Sequence, residues 1–218
     1  MLAFATRSGP AFSAGHDGMG AMARPHHHDP GGEMAGMSDM SGTAAATKYT
    51  AARANYTVPA VTLTDAHGRP VRLAQLLSQP RPVLVQFIFT SCTTICPLLS
   101  TTFSQAQAEL GRMHGDYQLI SISIDPEYDT PERLAAYAKR YNAGAHWMFL
   151  TGQAGDVRSV MTAFDALYQG SNKMYHRPLF YLRARPDTPW LRIEGFMQTA
   201  DLLREYHGVL GAAGLAVR

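Results

Sequence analysis

The sequence holds two cysteines, four positions apart in Thr90-Ser91-Cys92-Thr93-Thr94-Ile95-Cys96-Pro97. An apolar run, Pro82-Val83-Leu84-Val85-Gln86-Phe87-Ile88-Phe89, leads directly into them. A strand that turns through Cys-x-x-x-Cys into a helix presents both thiols at a helix N-terminus. There the free backbone N–H groups and the helix dipole favour thiolate over thiol. Thiolates bind soft metals and exchange disulfides. Free cysteines more often serve as small buried hydrophobes. A chain that places its only two at one strand–helix junction points instead to chemistry.

Histidine and methionine supply the other soft or borderline donors. Residues 1 to about 50 have no periodic apolar pattern and are rich in Gly, Ala, Ser, Asp and Pro, the composition of a disordered tail. That tail nevertheless carries Met19, Met22, Met34, Met37 and Met40, with His16 and the triplet His26-His27-His28. Thioether favours Cu(I), and imidazole accepts both oxidation states of copper. These nine residues are therefore candidate accessory copper ligands, held loosely because no rigid element fixes them. The alternative is a low-complexity segment with incidental Met and His.

The elements that must position the cysteines are legible beyond the tail. Thr57–Leu63 reads as a strand with a turn at Asp65–Gly68, Val71–Leu77 as a short helix or turn, and Val83–Phe89 as a buried strand. Pro97–Met113 fits a helix with Leu98, Leu99, Phe103, Ala106 and Leu110 at helical spacing. Tyr117–Ile124 is a second strand, and Thr130 caps a helix that has Pro131 in its first position. A short strand Trp147–Leu150, a helix Gly155–Leu167, a hairpin of Leu179–Arg183 with Trp190–Phe196, and a helix Thr199–Leu210 follow. Strands alternating with helices imply parallel pairing, and the late hairpin implies an antiparallel edge. The expected fold is α/β and thioredoxin-like: a mixed central sheet flanked by helices, spanning residues 55–214 behind the tail. Thioredoxin-type motifs have two residues between the cysteines; this chain has three. In such a sheet the loop Asn172-Lys173-Met174-Tyr175-His176-Arg177-Pro178 passes over the cysteine turn. His176 is thus the outstanding candidate for a third ligand to a metal held by Cys92 and Cys96.

Composition excludes several classes. A formal charge of +2 with no Lys/Arg cluster argues against a nucleic-acid partner. No stretch approaches the roughly 18 consecutive apolar residues that span a bilayer. Met1–Ala14 ends in small residues but lacks a basic start and a full apolar core. It reads either as the end of an export signal or membrane anchor, or as a plain extension.

Three matches make the chain resemble the Sco/SenC family, copper-binding thioredoxin-fold proteins that serve assembly of cytochrome c oxidase. The first is Phe87-Ile88-Phe89-Thr90-x-Cys92-x-x-x-Cys96-Pro97. The second is Ser123-Ile124-Asp125-Pro126-Glu127-x-Asp129-Thr130-Pro131-Glu132. The third is the single His176 ahead of the late strand. The resemblance implies a copper site of Cys92, Cys96 and His176, with Cys92 and Cys96 also able to form a redox-active disulfide that releases the metal. It implies a chaperone that hands copper to the binuclear copper centre of the oxidase or to another cuproprotein. The alternative is a thiol–disulfide oxidoreductase that reduces a partner's cysteines before metal insertion. The expected partner is a recipient cuproprotein such as an oxidase subunit. The expected location is the periplasm, free or anchored to the membrane through an N-terminal segment.

One departure stands out. Family members commonly carry Pro, and often Asp, between the cysteines, where this chain has Thr93-Thr94-Ile95. Loss of a nearby carboxylate should ease thiolate formation, and it leaves partner recognition open. Asp125 and Asp129 read chiefly as carboxylates that cap and position a turn, with support of the ligands or partner docking as the alternative.

Overall fold

The computed structural model describes residues 49–113 and 116–215. His16, Met19, Met22, His26, His27, His28, Met34, Met37 and Met40 lie outside the described residues. No helix among those described is long and apolar enough to cross a membrane.

Among the described residues, eight strands form one sheet: β1 Tyr49–Ala54, β2 Thr62–Asp65, β3 Pro70–Arg72, β4 Val83–Ile88, β5 Gln118–Ser123, β6 Trp147–Thr151, β7 Leu179–Arg183 and β8 Trp190–Gly195. Their spatial order is β1-β8-β7-β4-β5-β6-β2-β3. The α-helices among the same residues are α1 Leu73–Leu77, α2 Ile95–Arg112, α3 Pro131–Arg140, α4 Ala154–Ala163 and α5 Thr199–Ala212. The centre is parallel, β4 to β5 to β6, and β7 and β8 add antiparallel to β4. This is the expected mixed thioredoxin-like sheet.

Helices cover both faces. Ser100 of α2 bonds Tyr137 of α3, and Thr102 of α2 reaches the Met197 carbonyl ahead of α5. Phe103 of α2 packs on Phe180, while Phe164, just past α4, packs on the next residue, Tyr181. Neighbouring side chains of a strand point to opposite faces, so α2 and α4 lie on opposite sides of β7. All six residues of β4 and all six of β5 are buried in consequence. The Leu-Ile-Ser alternation of β5, which in an open sheet would mark a wet face, is instead buried polar pairing. Ser121 accepts hydrogen bonds from Gln86 Nε2 at 2.8 Å and Trp147 Nε1 at 2.9 Å.

Several boundaries differ from the sequence reading, among them the end of α4 at Ala163 rather than Leu167 and the start of α1 at Leu73 rather than Val71, which lies in β3. A strand that the sequence reading did not include, β1, precedes residue 55; it pairs with β8 through its backbone while its four middle side chains stay exposed. An edge strand with no buried face leaves no apolar period to read. β2 begins only at Thr62, since Pro59 interrupts the run that precedes it. α2 begins at Ile95 with Thr94 as N-cap, so Pro97 lies in its first turn, where its missing N–H removes no helical bond.

Topology places the chemistry. β4 runs out at Ile88 into the cysteine turn, and β7, antiparallel to it, starts at Leu179 just after His176. β5, parallel to β4, ends at the same edge and delivers the Ser123–Thr130 connection there. Three connections therefore meet at one end of the sheet.

Candidate metal centre

Cys92 lies in the turn before α2, and Cys96 is the second residue of that helix. The turn closes with the Cys92 N–H donating to the Phe89 carbonyl at 3.2 Å. The Cys96 N–H, one of the free amides of the first helical turn, donates to Cys92 Sγ at 3.4 Å. The Phe89 N–H donates to Cys96 Sγ at 3.3 Å. Both sulfurs thus sit on backbone donors, the arrangement that stabilises negative sulfur.

His176 comes from the loop ahead of β7, the antiparallel neighbour of β4. A short 3-10 turn, Lys173–Tyr175, capped by the Asn172 side chain on the Met174 N–H, delivers it to the cysteines. Its Nδ1 lies 3.2 Å from the Lys173 carbonyl, and its Nε2 lies 3.4 Å from Cys96 Sγ. A carbonyl can only accept, so the bond to it places the ring proton on Nδ1 and turns the Nε2 lone pair toward sulfur. The Phe89 ring meets the imidazole edge-on at 5.3 Å and walls the site.

The donor atoms of Cys92, Cys96 and His176 all lie within 4.8 Å of one another. The three residues are 5%, 0% and 3% exposed. Metal–donor bonds of about 2.0–2.3 Å put three donors of a trigonal site roughly 3.5–4 Å apart. A small contraction of this triad would therefore grip one ion. Two sulfurs and one imidazole form a soft set that suits Cu(I) and can still hold Cu(II). The candidate residues that lie among those described are thus brought together. The nine tail residues cannot be placed.

The two thiols are unlike. A hydrogen bond from the Cys96 thiol brings Cys92 down to about 4; burial opposes this, and the Cys96 and Thr94 amides assist it. The bond to Cys92, reinforced by burial, pushes Cys96 up. Burial lowers the His176 imidazole, against the opposing pull of the Cys92 charge. At neutral pH the resting site is a thiolate, a thiol and a neutral imidazole. It has one ready nucleophile and one proton to lose.

Two supporting groups escaped the sequence reading. Lys173 orients His176 through its carbonyl, and Phe89 bonds Cys96 while packing on the imidazole. Lys173 carries no motif signal, and Phe89, though part of the motif around the cysteines, gives no sign of this role, since a backbone carbonyl or amide can belong to any residue. Asp129 was legible as a turn carboxylate, and its grip on Thr90 was not.

Comparison with known proteins gives the family. The family model described as SCO1/SenC matches residues 49–210. The SCO1 protein homolog of Bacillus subtilis (strain 168) is 32% identical over 161 residues, covering 71% of this chain and 76% of that protein. BsSco, described as a member of the Sco family of cytochrome c oxidase assembly proteins with a disulfide switch, superposes with a TM-score of 0.61 at 29% identity. That match covers 72% of this chain and 95% of BsSco. Arabidopsis thaliana ScoI with copper bound gives a TM-score of 0.57 at 25% identity, over 69% of this chain and 93% of that one. With cysteine pair, histidine, sheet order and family match in agreement, the chain belongs to the SCO1/SenC family.

Proposed function

We propose that this protein binds one copper ion through Cys92, Cys96 and His176 and passes it to a recipient cuproprotein, the binuclear copper centre of cytochrome c oxidase being the leading case. The observation that carries this is the buried triad itself, with donor atoms of two thiols and one imidazole within 4.8 Å of one another at one end of the sheet. The solved copper-bound relative of the same fold supports the choice of metal. The tail Met and His residues would gather the ion, and a setting in the periplasm, free or membrane-anchored, would suit delivery to an oxidase.

Transfer follows from the asymmetry of the thiols. Binding displaces the Cys96 proton. Exchange with a partner disulfide, which is reduced to two thiols as Cys92 and Cys96 are oxidised to a disulfide, would remove two of three ligands and free the ion for the acceptor. A second reading, reduction of a partner's disulfide, is favoured by one specific observation: Cys92 is held as thiolate at about 4 while Cys96 stays protonated, as in an attacking and resolving pair. Copper titration of the reduced protein separates the two. One tight site, lost in Cys92→Ser, Cys96→Ser and His176→Ala, is the expected outcome. Tight binding retained in His176→Ala would remove the third ligand. Full complementation of a deletion strain at low copper by that variant would favour the reductase.

A further inference from the structure

The β5–α3 connection supplies no ligand, yet its two carboxylates reach both arms of the site. Asp129 is wholly buried. It accepts from the Thr90 N–H at 3.1 and 3.2 Å, from Thr90 Oγ1 at 2.5 Å, and from Ser123 Oγ at 2.6 Å. A buried carboxylate is costly unless donors satisfy it, and two of its three donor groups belong to the residue two places before Cys92. Capping of α3 does not explain it, because Thr130 does that with its own side chain on the Arg133 N–H.

Asp125 grips the opposite arm. Its carboxylate pairs with the Lys173 ammonium, and the Lys173 carbonyl is the group that holds His176 Nδ1. The same ammonium stands 5.3 Å over the Phe89 ring that flanks His176. The two acids are locked together: the Asp129 N–H donates to the Asp125 carbonyl at 2.8 Å, and the Asp125 N–H to Ser123 Oγ at 3.0 Å. One self-bonded loop thus spans from the cysteine turn to the histidine turn.

We infer that Ser123–Asp129 is a bracket that sets the separation between the cysteine pair and His176, with Asp129 positioning the first arm through Thr90 and Asp125 the second through Lys173. This deepens the copper-site reading and rests on it. The ends of β4 and β7 are neighbours, but the loops beyond them share no ladder; the bracket supplies the missing constraint. Groups that orient ligands without touching the metal typically contribute 10–100-fold in affinity.

The test uses the full chain with Asp125→Asn, Lys173→Gln, Asp129→Asn and, in case the last fails to fold, Thr90→Val. Asp125→Asn and Lys173→Gln should each weaken Cu(I) affinity about tenfold in a chelator competition, the double variant no further, and Lys173→Arg should restore it. Neither should change the alkylation rate of Cys92. Asp129→Asn or Thr90→Val should change both that rate and the affinity. In the copper-free protein, the ring 15N shifts of His176 should show the Nδ1-protonated tautomer, lost in Asp125→Asn. A structural role alone would move thermal stability and all readouts together. Wild-type affinity with an unchanged tautomer in Asp125→Asn, or unchanged Cys92 reactivity in both cysteine-arm variants, would overturn the bracket. Failure of the wild type to bind Cu(I) would instead overturn the copper site, while alkylation and ring shifts would still judge the bracket.

Discussion

Copper loading should release about one proton near pH 7, not two. Two unperturbed cysteines, at about 8.5, are both almost fully protonated at pH 7 and would give up close to two protons on binding. Here Cys92 is brought down to about 4. Three pH units above that value only about one molecule in a thousand still carries the Cys92 proton. Cys96 is pushed up and supplies a full proton. Burial lowers His176, so it is protonated in fewer than the roughly one quarter of molecules expected for an unperturbed imidazole. The sum is about one, with a small fraction from histidine. Affinity should then rise about tenfold per pH unit between roughly pH 6 and 8, or about 1.4 kcal/mol per unit. Toward Cys92's own value the slope should steepen further as His176 and Cys92 take up protons that binding must displace. Anaerobic calorimetry with Cu(I) in two buffers of different ionisation enthalpy counts the protons directly. A count near two at pH 7 would refute the thiolate assignment of Cys92, and a count near zero would refute the protonated Cys96.

Iodoacetamide should label Cys92 at a rate set by thiolate content, with a midpoint near 4 and a flat profile from pH 6 to 8, read by mass spectrometry. Cys96, fully buried, should stay unlabelled until the protein unfolds. Phe103→Ala removes a wholly buried ring packed on Trp147 and Phe180 and should cost about 3–5 kcal/mol in urea denaturation. Ser121→Ala leaves Trp147 Nε1 and Gln86 Nε2 without their buried acceptor and should cost about 1–3 kcal/mol, measured in the same way.

What could be read from the sequence was whatever lay close together in it. The strand, the cysteine spacing and the helix after it are contiguous, so local periodicity and residue type were enough to put Cys92 and Cys96 at a helix N-terminus. His176 stands 80 residues from Cys96, and it became legible only once the strand order implied which loop crosses the cysteines. The grip of Asp129 on Thr90 spans 39 residues and that of Asp125 on Lys173 spans 48. Such pairs leave no spacing signal, and either acid alone reads as an ordinary turn residue. β1 was missed for a different reason. Its stability is in backbone pairing at an edge, which asks nothing of side-chain pattern.

The central claim is the identity of three ligands on one ion. X-ray absorption on the reduced protein loaded with one equivalent of Cu(I) tests it most directly. Two sulfur and one nitrogen scatterers are expected in the first shell, with the nitrogen lost in His176→Ala. A shell of sulfur alone, or a nitrogen that persists in that variant, would contradict it.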